Sequence, residues 1–376
     1  MPQNQEIILS FLQRELLAIA VLGSVIQLVG LVLLVFSTGW IISLQWLLAA
    51  GLLWGYVCWF VNNRLEMNRA SQELPLYAIL GWGNRLTILR GGLLALTGGF
   101  LFIDPTTIGR VWAPALLYTL AAILDRFDGF VARRSRQVSL LGHELDITFD
   151  ALGLVIAPLL AIGWGKLHES YLLLSVAYYV YQWALQRRRN LGVPICPTPP
   201  NPLRRTLAGF QMGFIAVALW PLLDPVLTRI AGIAFMLPVL FGFVVDWLVV
   251  CGTVSAQVIN RLAVGSVQYF QPGLRVLALI LLFLATPTIT PLESVTSLSF
   301  GSAMLMLGGG FILLGFAGRF GALLLMFWLG WQDNGALNGV SGAALVMTLS
   351  WILLLGTGRF SLWQWGDEWL VRYDGV

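Results

Sequence analysis

The chain has 376 residues, of which 58% are hydrophobic and 11% are charged, whereas an ordinary soluble domain carries about 25% charged residues. This composition excludes an ordinary soluble domain and indicates an integral membrane protein with several transmembrane helices. The net charge is +4, and nearly all of the basic charge comes from arginines, which cluster in short loops between apolar runs. That distribution is typical of membrane topology, so we assign no nucleic-acid role. The three cysteines lie far apart and predict neither a disulfide framework nor a zinc site.

Apolar runs predict an all-α, polytopic protein with about twelve transmembrane helices. The predicted helices lie near 15–37, 40–62, 86–104, 111–133, 143–164, 171–187, 206–223, 230–250, 273–290, 297–317, 319–332 and 339–357. Breaks in hydrophobicity divide the chain into two leading helices (1–64), a six-helix core (65–252), a linker (253–272) and a four-helix domain (273–376).

Arginine positions predict the orientation of these helices. The N-terminal stretch lacks the basic region and cleavage site of a signal peptide, so we expect the first helix to be retained. With the N-terminus in the cytoplasm, the basic residues of the loops lie at cytoplasmic helix ends, apart from Arg110, Lys166 and Arg229.

Four aspartates lie in the stretch DRFDGFVARRSRQVSLLGHELDITFD, residues 125–150, which joins two predicted helices. Asp125 and Asp128 are three residues apart, and Asp146 and Asp150 are four apart, so each pair shares one helix face. An aspartate at the centre of a membrane helix costs about 2.5–3.5 kcal/mol, which makes such residues candidates for function. Two neighbouring helices can therefore present four carboxylates to one cavity.

The residues around the aspartates indicate what the cavity binds. Arg126 and Arg133 are close in sequence but too few to neutralise four carboxylates, whereas divalent metal ions can, and oxygen ligands suit Mg²⁺, Mn²⁺ or Ca²⁺. Gly129 and Ala132 leave space beside the first pair, Gly142 allows close helix approach, and Arg133 can pair with phosphate oxygens. The pattern predicts a two-metal site for in-line displacement at phosphorus.

These residues form a recognisable signature. The pattern Asp-x2-Asp-Gly-x2-Ala-Arg-x8-Gly-x3-Asp-x3-Asp resembles that of the CDP-alcohol phosphotransferases, with every fixed position filled. Upstream, NRLTILR at residues 84–90 resembles the motif that opens the first core helix of that family. The resemblance covers about residues 65–252, and it implies that the six-helix core is catalytic.

The resemblance also implies roles for individual residues. Asp125, Asp128, Asp146 and Asp150 would hold two Mg²⁺ or Mn²⁺ ions, and Asp150 would also act as the general base. The residues implied for the CDP pocket are Asn84, Thr87, Arg90, Gly129, Ala132 and Arg133. The donor would be CDP-diacylglycerol or another CDP-alcohol, and the acceptor would be a polar alcohol. The protein would lie in a bacterial inner membrane, among its lipids, and the site would face the cytoplasm. The resemblance also allows a homodimer.

Two departures leave the acceptor open. Ile147 and Ala151 stand where phosphatidylglycerophosphate synthases usually have proline and lysine, so glycerol 3-phosphate is not singled out. Two other functions stay open: a divalent-cation transporter, because four acids can line an ion path, and a non-catalytic membrane scaffold. The intact aspartates and the spacing of the small residues argue against both.

Two further segments carry open interpretations. The proline-rich loop 190–205 is a connector or a lid, and the arginines beside it (Arg187, Arg188, Arg189, Arg204 and Arg205) are topological anchors or a cradle for an acceptor phosphate. The glycine-rich segment 308–330 resembles the DoxX-type four-helix membrane proteins, a likeness that covers about residues 270–376 and implies no catalytic residues.

Overall fold

The computed structural model describes residues 2–106, 112–198, 202–255, 257–289, 300–331 and 339–363. Within these ranges the chain is helical, and its only extended pairing is one isolated bridge between Phe316 and Trp363. The prediction of an all-α protein is confirmed.

Thirteen α-helices lie within the described ranges. They are α1 (Pro2–Thr38), α2 (Trp40–Asn62), α3 (Gly81–Gly98), α4 (Trp112–Arg134), α5 (Leu140–Gly163), α6 (Leu172–Asn190), α7 (Pro202–Ala218), α8 (Pro225–Val250), α9 (Gln257–Gly265), α10 (Gln271–Ile289), α11 (Phe300–Leu314), α12 (Gly318–Trp331) and α13 (Val340–Leu355). Each of the twelve predicted helices has a counterpart among them, and α9 lies in the predicted linker.

Some of these helices are suited to a bilayer. Five segments are long and apolar enough to cross a membrane by length and composition: Gln5–Thr38, Trp40–Asn62, Leu140–Gly163, Pro225–Val250 and Gln257–Ala285. Several shorter apolar helices accompany them. These helices indicate an integral membrane protein, whereas the number of twelve spans stays a prediction.

The chain divides into two compact units, residues 1–164 with 215–221, and residues 165–214 with 222–376. In the first unit, α3 is the central helix, because α2, α4 and α5 all contact it. The leading helices are part of this packing. The Trp54 indole N–H of α2 donates to the carbonyl oxygen of Ala20 on α1 at 3.1 Å, and the rings of Phe60 and Phe149 lie 6.3 Å apart between α2 and α5.

In the second unit, α8 packs with the last helix described. Trp351 Nε1 of α13 donates to the carbonyl oxygen of Ala234 on α8 at 2.8 Å. The end of α11 is capped by Arg275 of α10, which donates to the carbonyl oxygens of Ile312 at 2.9 Å and Leu313 at 2.6 Å. The DoxX likeness stays a prediction, and the side chains of Arg204 and Arg205 lie outside the described residues.

Candidate functional site

The four aspartates lie on two helices that both contact α3 in the first unit. Asp125 and Asp128 are near the end of α4, and Asp146 and Asp150 are in the first half of α5. Carboxylate oxygens of Asp125, Asp128 and Asp146 all lie within 4.8 Å of one another. The structure therefore brings three of the four predicted metal ligands into one cluster, with Asp150 one helical turn beyond Asp146.

Arg90, on α3, lies among all four carboxylates, and its side chain is only 1% exposed. Its Nη1 donates to Asp125 and lies 3.5 Å from Asp128 Oδ2. Its Nη2 lies 3.1 Å from one carboxylate oxygen of Asp146 and of Asp150. Sequence reasoning placed Arg90 beside the nucleotide and considered only Arg126 and Arg133 as neutralising partners, so it missed this contact.

The charges and donor atoms of the cluster fit a divalent cation. Four carboxylates against one guanidinium leave three negative charges in excess. Such an excess is unfavourable at partly buried positions unless protonation or further cations offset it. Oxygen donors within 4.8 Å of one another are the ligands that hard divalent cations prefer. The side chains of Asp146 and Asp150 are each 47% exposed, so the cluster is accessible from the α5 side.

Asp128 is the most buried of the four carboxylates, and two contacts orient it. The Thr87 hydroxyl of α3 lies 3.1 Å from Asp128 Oδ2, and the backbone N–H of Gly129 donates to Oδ1 at 2.6 Å. Thr87, which the resemblance places near the nucleotide, therefore contacts a carboxylate of the cluster. One face of α3 supplies both the hydroxyl and the guanidinium that hold these acids.

Asn84 lies deeper, where three segments meet, and is 4% exposed. Its Nδ2 lies within hydrogen-bonding distance of Asn68 Oδ1 (3.0 Å), the carbonyl oxygen of Leu80 (2.8 Å) and Ser139 Oγ (3.0 Å). Ser139 in turn caps α5, because its Oγ accepts the N–H of Gly142 at 3.0 Å. Asn84 therefore holds the start of α5 against α3, a role that its motif does not indicate.

Two small residues of the motif determine how closely the helices approach. A Cβ added at Gly142 would lie 2.6 Å from Asn84 Oδ1, so a larger residue there must displace a buried amide. A Cβ added at Gly83 of α3 would lie 2.7 Å from the Cβ of Ala132, which places Ala132 at the contact between α3 and α4. Because the helices approach closely at these two points, α4 and α5 both pack against α3.

Gly129 and Arg133 lie at the accessible side of α4. Arg133 is exposed, and a Cβ added at Gly129 would lie 3.3 Å from its Nη1. Among the residues predicted to line the CDP pocket, Arg133 is exposed, and Gly129 and Ala132 are half-buried. Thr87 and Arg90 thus contact the carboxylates, whereas Asn84 is buried.

Comparisons with known proteins bear on this segment. Residues 82–244 match the family model described as CDP-alcohol phosphatidyltransferase. A CDP-diacylglycerol–glycerol-3-phosphate 3-phosphatidyltransferase of Cereibacter sphaeroides is 34% identical over 100 residues, which are 26% of this chain and 44% of that protein. An enzyme of the same name from Pectobacterium atrosepticum is 36% identical over 78 residues, 20% of this chain and 40% of that protein.

These matches confirm the resemblance that the aspartate motif indicates, for the segment that contains it. The chain spans less than half the length of the curated relatives that it matches. No solved structure matches the chain significantly.

Proposed function

We propose that this protein transfers a phosphatidyl or related substituted phosphoryl group from CDP-diacylglycerol or another CDP-alcohol to an alcohol acceptor, with release of CMP. The observation that carries the proposal is the carboxylate cluster, three of whose oxygens lie within 4.8 Å of one another. The cluster lies inside the segment that matches the CDP-alcohol phosphatidyltransferase family. The named relatives use CDP-diacylglycerol as the donor and glycerol 3-phosphate as the acceptor.

The reaction forms one bond and breaks one. The acceptor hydroxyl oxygen bonds to the phosphorus that carries the lipid alcohol, the bond between that phosphorus and CMP breaks, and the hydroxyl proton is removed. Asp150 suits the role of base, because it contacts Arg90 beside the cluster at 3.1 Å, yet its side chain is 47% exposed and within reach of an incoming hydroxyl. The same proton acceptor is what the family resemblance implies.

Asp125, Asp128, Asp146 and Asp150 would together hold two Mg²⁺ or Mn²⁺ ions. When bound, such ions neutralise phosphate charge and stabilise the attacking and leaving oxygens of an in-line displacement. Arg90 reduces the repulsion among the four carboxylates.

Around the cluster, the other residues orient ligands or helices. Thr87 orients Asp128 through a 3.1 Å contact. Arg133, exposed beside Gly129, is available to bind the diphosphate of the donor through two parallel hydrogen bonds. Asn84 and Ala132 contribute by fixing the helices, and their contact with the nucleotide stays a prediction.

The membrane setting belongs to the same proposal. The twelve helices would all span the bilayer. Along the chain, the two leading helices would be followed by a six-helix catalytic core (residues 65–252), the linker and the four-helix domain. The arginine distribution favours a bacterial inner membrane with the cluster on the cytoplasmic side. The lipid donor would then enter from the bilayer and the polar acceptor from the cytosol, and a homodimer is compatible with this arrangement.

The acceptor has to be found by experiment, because Ile147 and Ala151 differ from the usual residues of enzymes that use glycerol 3-phosphate. CMP release from CDP-diacylglycerol should be measured with the purified full chain in detergent, with Mg²⁺ or Mn²⁺. The acceptor panel is glycerol 3-phosphate, inositol, inositol phosphate and serine. We expect acceptor-dependent release that Asp150→Asn abolishes and that Asp104→Asn, an exposed residue outside the cluster, leaves unchanged.

Two other results would reject the transferase. If the protein bound CDP but released no CMP with any donor and acceptor, the result would favour the scaffold. Divalent-cation uptake by proteoliposomes without CMP release would favour the transporter.

A further inference from the structure

The first leading helix reaches the start of α3 through one side chain. Glu15 Oε2 accepts the backbone N–H of Leu80 at 3.1 Å, and Oε1 accepts Arg85 Nε at 2.7 Å. Both oxygens of the carboxylate are thus bonded to the first turns of α3 or to the residue before it. The Glu15 side chain is only 20% exposed, although it lies on α1, the first helix of the chain.

The start of α3 requires such a partner. Leu80 precedes the helix and provides no side-chain cap, and Gly81, the first helical residue, has a φ of +80°. The first N–H groups of a helix have no acceptor within it, and the helix dipole favours negative charge at this end. Glu15, on α1, therefore supplies to the start of α3 the hydrogen-bond acceptor and the negative charge that the first turn of α3 lacks.

The position of α3 along its axis determines the geometry of the carboxylate cluster. Thr87 and Arg90 follow Leu80 by seven and ten residues, so Arg90 lies about 15 Å further along a rigid helix. The Thr87 hydroxyl is 3.1 Å from Asp128, a distance that a shift of about 1 Å would carry outside the hydrogen-bonding range. A misplacement of about 1 Å far from the reacting atoms can lower a rate about 100-fold.

We infer that Glu15 is a positioning residue for the transfer reaction: by binding Leu80 and Arg85 it fixes α3, and through α3 it fixes Thr87 and Arg90 relative to the carboxylates. This inference rests on the proposed function. It gives the first leading helix, which lies outside the segment that matches the family, a part in the activity.

The test compares Glu15→Ala, Glu15→Gln and the control Glu6→Ala, an exposed glutamate of the same helix, in the purified full chain. Two quantities are measured well below each melting temperature: amide hydrogen exchange along α3, and kcat for CMP release. We expect Glu15→Ala to accelerate exchange over residues 80–90 and to lower kcat about tenfold. Glu15→Gln retains an acceptor for Leu80 and should recover most of both, and Glu6→Ala should match the wild type.

The outcomes separate this inference from the proposed function. Unchanged exchange over residues 80–90 in Glu15→Ala overturns the inference. A lower melting temperature with an unchanged kcat does so too, because Glu15 would then only stabilise the fold. If the wild type releases no CMP, the proposed function fails, and the exchange measurement alone decides whether Glu15 fixes α3.

Discussion

Replacing Arg90 by methionine removes the cation that contacts all four carboxylates, and the described residues provide no second ion pair to them. Methionine retains an apolar stem in a position that is 1% exposed. Deleting one partner of a buried ion pair costs about 3–5 kcal/mol, because the remaining charges are left uncompensated. We expect the metal-free variant to lose about that much of its free energy of unfolding.

Divalent ions should reverse much of this loss. Without Arg90, four negative charges instead of three attract the ion, and no guanidinium lies 3.1 Å from the oxygens of Asp146 and Asp150. A ligand that binds only the folded state stabilises it by RT ln(1 + [L]/Kd), so each tenfold fall in Kd adds about 1.4 kcal/mol near saturation. We expect the Kd for Mn²⁺ to fall about tenfold in the variant, and the Mn²⁺-dependent rise in melting temperature to exceed that of the wild type.

The assay is thermal unfolding in detergent, followed by tryptophan fluorescence, with EDTA and then with increasing Mn²⁺. Electron paramagnetic resonance of free Mn²⁺ supplies the Kd. Arg126→Met is the matched control, because Arg126 is exposed on α4 and makes no ion pair with the cluster within the described ranges. If the Mn²⁺ response of Arg90→Met did not exceed that of the wild type and the control, the reasoning that Arg90 and a metal ion share the same carboxylates would be refuted.

Three further predictions address the packing and the ligands of the cluster. Gly142→Ala places a Cβ 2.6 Å from a buried amide oxygen, so we expect a loss of about 1–3 kcal/mol in thermal unfolding. Gly55→Ala, which has open space around its Cβ, should be neutral or slightly stabilising; equal stability of the two variants would contradict this account. Thr87→Val removes a hydroxyl 3.1 Å from Asp128, and we expect it to lower stability by about 0.5–1.5 kcal/mol. It should also weaken Mn²⁺ binding, and no change in either quantity would mean that Asp128 is oriented without Thr87. Asp128→Asn should lower Mn²⁺ affinity by more than about tenfold, since even groups beyond the ligands affect metal affinity by about 10–100-fold. Asp104→Asn should bind Mn²⁺ like the wild type, and a similar affinity of both variants would exclude Asp128 as a ligand.

The sequence by itself determined the class of the protein, the helices and the motif. Runs of apolar residues and the spacing of the aspartates are local properties, since a helix repeats every 3.6 residues wherever it lies. The all-α fold and the resemblance of about residues 65–252 to the CDP-alcohol phosphotransferases were therefore accessible without coordinates. The helices of the described residues confirm the fold, and the family match over residues 82–244 confirms the resemblance. The metal ligands, the base and the number of spans stay predictions.

Only the tertiary structure decided which residues surround the aspartates. Arg90 is 35 residues from Asp125 in sequence, and Glu15 is 70 residues from Arg85, so no local pattern pairs either of them. Asn84 belongs to a motif that suggests a ligand contact, yet its amide contacts Ser139 where α3 packs against the start of α5. These contacts arise where helices approach at small residues such as Gly142, and the distance between two helix axes is a property of their packed side chains rather than of either helix alone.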